Sequence, residues 1–194
     1  METVYVIKDR GYHWMYHWII LMLGGLRNIK ESKPLKIYCP FNYFKYNDLC
    51  FQQESLDMIS EEYVETTPNE SNNIVVIDGE SLLKPDMVNF ETYTFLRSLY
   101  LSKCPSFDFT GKRYYLTRKN AGLSNPLNEK ISSRHILNEE SMFPILLDNG
   151  FEIISLEDYS FKDKIKIFNT AGIIMSPNSG GLTLSLFASK RTKL

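Results

Sequence analysis

The stretch Ala171-Gly172-Ile173-Ile174-Met175-Ser176-Pro177-Asn178-Ser179-Gly180-Gly181-Leu182-Thr183 decides the fold class. A short β-branched apolar run gives way to small turn residues and then to a second apolar segment, which predicts a buried strand, a turn and a helix. Junctions of this kind suit phosphate. Gly180 and Gly181 let the backbone approach an anion closely, and the free N–H groups of the following helix, with its dipole, favour negative charge. Ser176, Asn178, Ser179, Gly180 and Gly181 are therefore candidate phosphate contacts. Neither the three-glycine dinucleotide fingerprint nor the Gly-Lys-Ser/Thr of a P-loop is present, and taken alone the pattern suits a packing turn equally well.

Working outward, strand and helix alternate through the whole second half. Arg113 to Thr117 reads as a strand, Asn138 to Asp148 as a helix stopped by Asn149-Gly150, and Glu152 to Ser155 as a strand. Phe161 to Thr170 reads as a helix, Gly172 to Met175 as a strand and Gly180 to Ser189 as a helix. Such alternation predicts a parallel sheet covered by helices, with right-handed crossovers and a ligand crevice at the carboxyl ends of the strands. Thr117, Arg118, Ser155 and Ser176 fall at those ends.

The first half lies before Lys103-Cys104-Pro105-Ser106-Phe107-Asp108. Thr3 to Ile7, Leu35 to Cys39 and Ile74 to Asp78 are runs suited to buried strands. Trp14, Trp18, Leu21, Met22 and Gly25 repeat at helical spacing, which predicts an amphipathic helix from about His13 to Ile29, ended near Lys33-Pro34. Asn89 to Leu101 is a second helix with Phe90, Tyr93, Leu96, Leu99 and Tyr100 on its apolar side, and Thr66 to Asn73 is a polar loop. The expected architecture is α/β: two small Rossmann-like halves with parallel sheets, residues 1–105 and 106–194, the C-terminal half the clearer.

Composition narrows the function. A chain of 194 residues, 43% hydrophobic and 13% aromatic, buries one respectable core or two small ones. Its 22 basic and 23 acidic residues leave a net charge of −1, which gives no field for holding a polyanion and disfavours nucleic acid. Cys39, Cys50 and Cys104 are odd in number and widely spaced, which indicates neither a disulfide framework nor a structural zinc site and suits a reducing compartment. Met1 to Lys8 carries charge where a signal peptide would be apolar. The longest apolar stretch, Trp18 to Leu26, is far shorter than the roughly 20 residues a bilayer needs. A soluble protein of a reducing, cytoplasmic compartment is expected, whole or as a domain trimmed from a longer protein, and an oligomer is compatible with all of this.

Several linked motifs then coincide. Tyr114-Tyr115-Leu116-Thr117-Arg118, Arg134-His135-Ile136-Leu137-Asn138-Glu139-Glu140, Asn149-Gly150-Phe151, Phe161 to Phe168 and the Ser176 turn resemble glycosyltransferase family 61 in order and spacing. That family typically shows a Ser/Thr-Arg after a strand, an Arg-x-x-x-Asn-Glu, a Gly-Phe strand start and a Gly-x-His-Gly-Ala-Gly-Leu turn. The resemblance covers roughly the last 80 residues, with an N-terminal His-Trp matched by His17-Trp18. The turn departs from the pattern, carrying Asn178 where the family usually has His and Ser179 where it usually has Gly. Asn can donate to a phosphate oxygen but cannot carry an imidazolium charge. Relatives usually continue past the turn and its helix with another strand and a closing helix; without them an apolar sheet edge would be left open. The resemblance implies a GT-B-like, inverting glycosyltransferase whose donor is a nucleotide-diphosphate sugar, a UDP-sugar by family, with a glycan or protein hydroxyl as acceptor. A non-catalytic glycosyltransferase-like domain that binds a glycan, a nucleotide or a protein partner is the alternative.

Individual residues carry the chemistry. Arg118, directly off a strand end, and Arg134, before a helix, are placed to clamp a diphosphate with paired planar donors, against the plain reading of each as a surface arginine. Between them Lys119 to Ser133 is a loop of the kind that orders over a substrate. Asn138 with Glu139 and Glu140 suits a helix cap, with Glu139 reaching substrate as the sharper reading. Glu157 follows the strand ending at Ser155, where a carboxylate accepts ribose hydroxyls, unless it is a simple loop acid.

His13 and His17, four apart on one helix face, have zinc-compatible spacing. No Glu stands between them and His135 is the only other His, so metal is not indicated. The resemblance places His17 near the cleft as the base for an acceptor hydroxyl. Trp14 and Trp18 are core or a stacking platform. No Asp-x-Asp occurs, so the expected reaction is metal-independent and needs no cofactor, the leaving diphosphate being stabilised by Arg118, Arg134 and the turn. A hydrolase or phosphatase of nucleotide sugars would usually require a metal-carboxylate cluster, which the sequence lacks.

Overall fold

The computed structural model describes residues 2–8, 15–38, 50–78, 90–118 and 136–194. The chain forms two compact units that divide chiefly between Pro105 and Ser106, with Cys50 grouped with the second. Each carries an all-parallel sheet with helices, so both are Rossmann-like α/β units.

In the first unit β1 (Thr3–Lys8), β2 (Leu35–Tyr38), β3 (Tyr63–Glu65) and β4 (Asn73–Asp78) stand in the order β3-β2-β1-β4. The chain steps outward from β1 through β2 to β3 and then returns to the other side of β1. Two elements went unread in the sequence: β3, three residues long, and helix α1 (Cys50–Asp57). The run at Ile74 to Asp78 forms its strand, but at the sheet edge rather than buried, and Ile74 and Val76 are exposed.

The segment expected to be an amphipathic helix is wound as a π-helix over His17–Leu23 and as a 3-10 turn over Leu26–Asn28. Every residue from Trp18 to Leu26 is buried. Ile19, Ile20 and Leu23, which fall outside the predicted stripe, are as enclosed as Leu21 and Met22, and a helix apolar on all sides belongs in an interior. Helix α2 (Phe90–Leu101) packs close to it. A Cβ at Gly24 would stand 2.7 Å from Thr92 Cγ2, and Arg27 Nη1 donates to Thr92 Oγ1 at 2.6 Å. Its buried face is Thr92, Leu96, Leu99 and Tyr100, whereas Phe90 (83% exposed) and Tyr93 point outward, contrary to the face drawn from the sequence.

In the second unit β5 (Arg113–Leu116), β6 (Phe151–Ile154) and β7 (Ile173–Met175) stand in the order β6-β5-β7. Helix α3 (Phe143–Asp148) connects β5 to β6, and α4 (Phe161–Thr170) connects β6 to β7. Ser160 caps α4, its hydroxyl accepting from the Asp163 N–H at 3.1 Å. Tyr115, Leu146 and Phe151 centre one core cluster, with Met142, Phe143, Ile153 and Ile173 against it.

Two helices differ from expectation. The span Asn138 to Asp148 is a 3-10 turn (Glu139–Met142) followed by the short α3, with Pro144, which has no N–H to donate, in the first turn of α3. The span after the glycines is a 3-10 helix (Gly180–Phe187), not an α-helix. At three residues per turn Gly181, Leu184 and Phe187 fall in one line. Leu184 and Phe187 are fully buried, Phe187 meeting Phe161 edge-on, and a Cβ on Gly181 would reach 2.7 Å from Leu156 Cδ1. Beyond it the chain returns to the sheet. Lys193 pairs with Ile173 in a one-residue parallel bridge on the outer side of β7, and Thr192 Oγ1 donates to Ala171 O at 2.8 Å.

Candidate donor site at the carboxyl ends of the second sheet

The order β6-β5-β7 places the reversal of strand order, not of direction, beside β5, since all three strands run parallel. The chain leaves β5 for β6 on one side, then crosses to β7 on the other, so the carboxyl ends of β5 and β7 form the topological switch point, where open parallel sheets generally leave a crevice for ligand. Thr117 and Arg118 leave β5 there, Ser176 leaves β7, and Ser155 ends β6 one strand further over.

Arg118 bridges the crevice, its Nη1 donating to the Asn178 carbonyl at 3.0 Å. The guanidinium therefore stands directly over the small-residue turn. Ser176 Oγ donates to Pro177 O at 2.8 Å and lies 3.5 Å from Ser179 Oγ, so both hydroxyls belong to the turn. Asn178 and Gly180 are exposed, and Gly181 backs onto Leu156. A side chain at position 181 would push this wall outward.

On the β6 side Ser155 Oγ donates to Glu157 Oε2 at 2.6 Å, which holds the exposed Glu157 carboxylate at the strand end. Neighbouring strands stand about 4.8 Å apart, so the β7 turn and the β6 end are separated by roughly 10 Å.

Glu139 is the residue whose surroundings the sequence concealed. It is 7% exposed, its Oε1 accepting from Tyr115 O–H at 2.8 Å and its Oε2 from Thr117 O–H at 2.7 Å. A buried carboxylate is tolerated only when so paired. Burial first, and then the carboxylate beside it, push the Tyr115 phenol well above its ordinary value, so it remains a donor. Tyr115, within β5, and Thr117, two residues later, were the available signal. Asn138, expected as the helix cap, has left-handed backbone (φ 59°) and an exposed side chain that makes no capping bond; its carbonyl accepts from Ser141 N–H and O–H instead. Asn tolerates that conformation better than most residues.

The remaining candidates divide between the first unit and the undescribed residues. Trp18 is core: fully buried, with its Nε1 donating to Ser55 Oγ at 2.8 Å, it offers no stacking face. His17, at the start of the π-helix, is partly buried and meets the Tyr16 ring edge-on at 5.9 Å. His13, Trp14, the Lys119 to Ser133 loop, Arg134 and His135 lie outside the described residues. Among the described residues no three His, Cys, Asp or Glu side chains gather as a metal site would require, and no helix is long and apolar enough to cross a membrane.

With this geometry in place, the family assignment is direct: residues 12–194 match the family model Glycosyltransferase 61. The chain belongs to glycosyltransferase family 61. No curated protein matches the sequence. The family match reaches into both units: it begins after β1, includes the His17-Trp18 pair and covers the second unit through Leu194. Membership carries glycosyltransferase activity in general, with a nucleotide sugar and an acceptor as substrates. In the family 61 chain described above, the Glu of the Arg-x-x-x-Asn-Glu motif faces protein hydroxyls, and the Arg after the strand faces the turn.

Proposed function

We propose that the protein is an inverting, metal-independent transferase of the GT-B type. It moves a sugar from a nucleotide-diphosphate sugar, a UDP-sugar, to a hydroxyl of a glycan or protein acceptor. One observation carries this reading: Arg118 bridges from the end of β5 to the Asn178 turn after β7, across the crevice where a parallel sheet takes its ligand. The departing diphosphate is stabilised by Arg118, by Arg134 and by N–H groups of Asn178 to Gly181, which supply positive potential where negative charge develops. Asn178 and Ser179 contribute neutral donors, so the two arginines carry the charge. Glu157, oriented by Ser155, accepts the ribose hydroxyls. His17 takes the proton from the acceptor hydroxyl as it attacks the anomeric carbon from the face opposite the diphosphate, which inverts the configuration. The absence of Asp-x-Asp supports a reaction without metal.

Calorimetry with UDP tests the donor site. Arg118→Ala should lose about 1.5–3 kcal/mol of binding, roughly 10- to 150-fold in Kd, the worth of a charge-assisted hydrogen bond. Wild-type affinity in that variant would exclude the contact, and no binding of any nucleoside diphosphate to the wild type at millimolar concentration would exclude the site. The departures at Asn178 and Ser179 favour the second reading, a glycan- or nucleotide-binding domain without turnover. Release of UDP from UDP-sugars by the purified chain argues against it.

A further inference from the structure

We infer that Glu139 is a positioning residue of the donor site: its carboxylate pins the carboxyl end of β5 so that Arg118 is presented to the diphosphate. The inference rests on the donor reading above. Its basis is the density of ties around two residues. Thr117 is held through its N–H to Ile154 O at 2.9 Å on β6 and through its hydroxyl to Glu139 Oε2 at 2.7 Å, and Arg118 is held to Asn178 O at 3.0 Å. Tyr115, within β5 and two residues before Thr117, supplies the second anchor for the carboxylate at 2.8 Å. These bonds join residues 22 and 24 apart in sequence, so Glu139 fastens the start of its 3-10 turn to the strand end from which Arg118 departs.

The same geometry is unfavourable for proton transfer. A general acid or base must come within about 2.6–3.2 Å of the proton it moves, directly or through one water. Glu139 is 7% exposed, and each of its oxygens is engaged by a protein hydroxyl. A carboxylate held in this way is suited to fixing its donors rather than to meeting substrate. Asp would be too short to span both hydroxyls from the same backbone. Gln keeps the length, its carbonyl accepting from one hydroxyl while its NH₂ donates to the other once that hydroxyl rotates.

The test is a double-mutant cycle on UDP affinity, measured by calorimetry on the full chain, with Arg118→Ala, Glu139→Ala and the double variant, and with Glu139→Gln beside them. If Glu139 acts through Arg118, each single Ala variant weakens UDP by about 10-fold or more, and the double variant is within about 2-fold of Arg118→Ala, the tolerance of such cycles. Glu139→Gln retains affinity within about 3-fold of wild type. If Glu139→Ala does not fold, Thr117→Val removes one tie and takes its place in the cycle. Additive losses, or a Gln variant as weak as the Ala variant, would overturn the positioning role while leaving the donor site intact. A wild-type chain that binds no UDP would remove the donor reading and this inference with it.

Discussion

Replacing Gly172 by Ala should destabilise the second unit by an amount that the backbone geometry defines. A Cβ at Gly172 would stand 2.6 Å from Gly111 O, 3.0 Å from its carbonyl carbon and 3.1 Å from its Cα, all backbone atoms, where ordinary contact begins near 3.4 Å. Relief therefore requires two main-chain segments to separate by close to 1 Å. Those segments are joined by Thr110 and Gly111 N–H donating to Thr170 O at 3.0 and 3.2 Å, and by Gly172 N–H donating to Lys112 O at 2.8 Å. Overpacking costs about 1–3 kcal/mol, here in the upper part of that range, about 2–3, because only backbone can yield; the lower chain entropy of unfolded Ala returns about 0.4–1 kcal/mol, leaving a net loss of roughly 1–2.5 kcal/mol. Urea unfolding followed by far-UV circular dichroism measures it. Trp18 is buried in the first unit, so its fluorescence reports on that unit. A dichroism midpoint that is unchanged or raised would refute the steric argument.

His17→Ala should keep UDP affinity while transfer falls about 10²- to 10⁴-fold, the usual loss for a general base; normal specific activity in the folded fraction would assign His17 to packing. Glu62 accepts from both Lys33 and Lys103, which hold its carboxyl below the ordinary value of 4.5 against an opposing effect of burial. The associated stability is complete above the unfolded carboxyl pKa and is lost as pH falls through the depressed folded value, so Glu62→Gln should flatten the acid limb of urea midpoint against pH. The expected effect is a few tenths to about 1 kcal/mol, since the cluster is only half-buried and solvent still screens it, and an unchanged acid limb would show that the pairing adds nothing.

The second unit was legible because its signals are local. Ser160 and Asp163 announce the start of α4, Ala171-Gly172 its end, and the predicted span Phe161 to Thr170 is the observed one. The strands that end near Thr117, Ser155 and Ser176 followed from the same alternation. In the first unit the pattern misled where burial was complete. Trp18 to Leu26 is apolar at every position, so a stripe drawn through Leu21 and Met22 could not reveal that Ile19 and Ile20 are buried too. Nor does periodicity carry π winding. Phe90 was assigned inward by spacing, yet it begins its helix and stands 83% exposed, while the inward position is taken by Thr92 against Gly24 and Arg27. Glu139 was hidden for a different reason. Its environment is made by Tyr115 and Thr117, more than twenty residues earlier, and a local reading sees only an acid in a first helical turn.

The bridge between Lys193 and Ile173 bears on how the protein behaves at high concentration. Strands at the margin of a sheet present vacant main-chain groups to which another molecule can add. On the outer side of β7 those groups are engaged: Ile174 N–H donates to Lys193 O at 2.8 Å and Lys193 N–H donates to Gly172 O at 2.9 Å. The occupant is exposed and cationic, as are Lys190 and Arg191 just before it. A second molecule approaching this margin meets like charge and few unmet donors, so resistance to edge-on aggregation is written into residues 190–193.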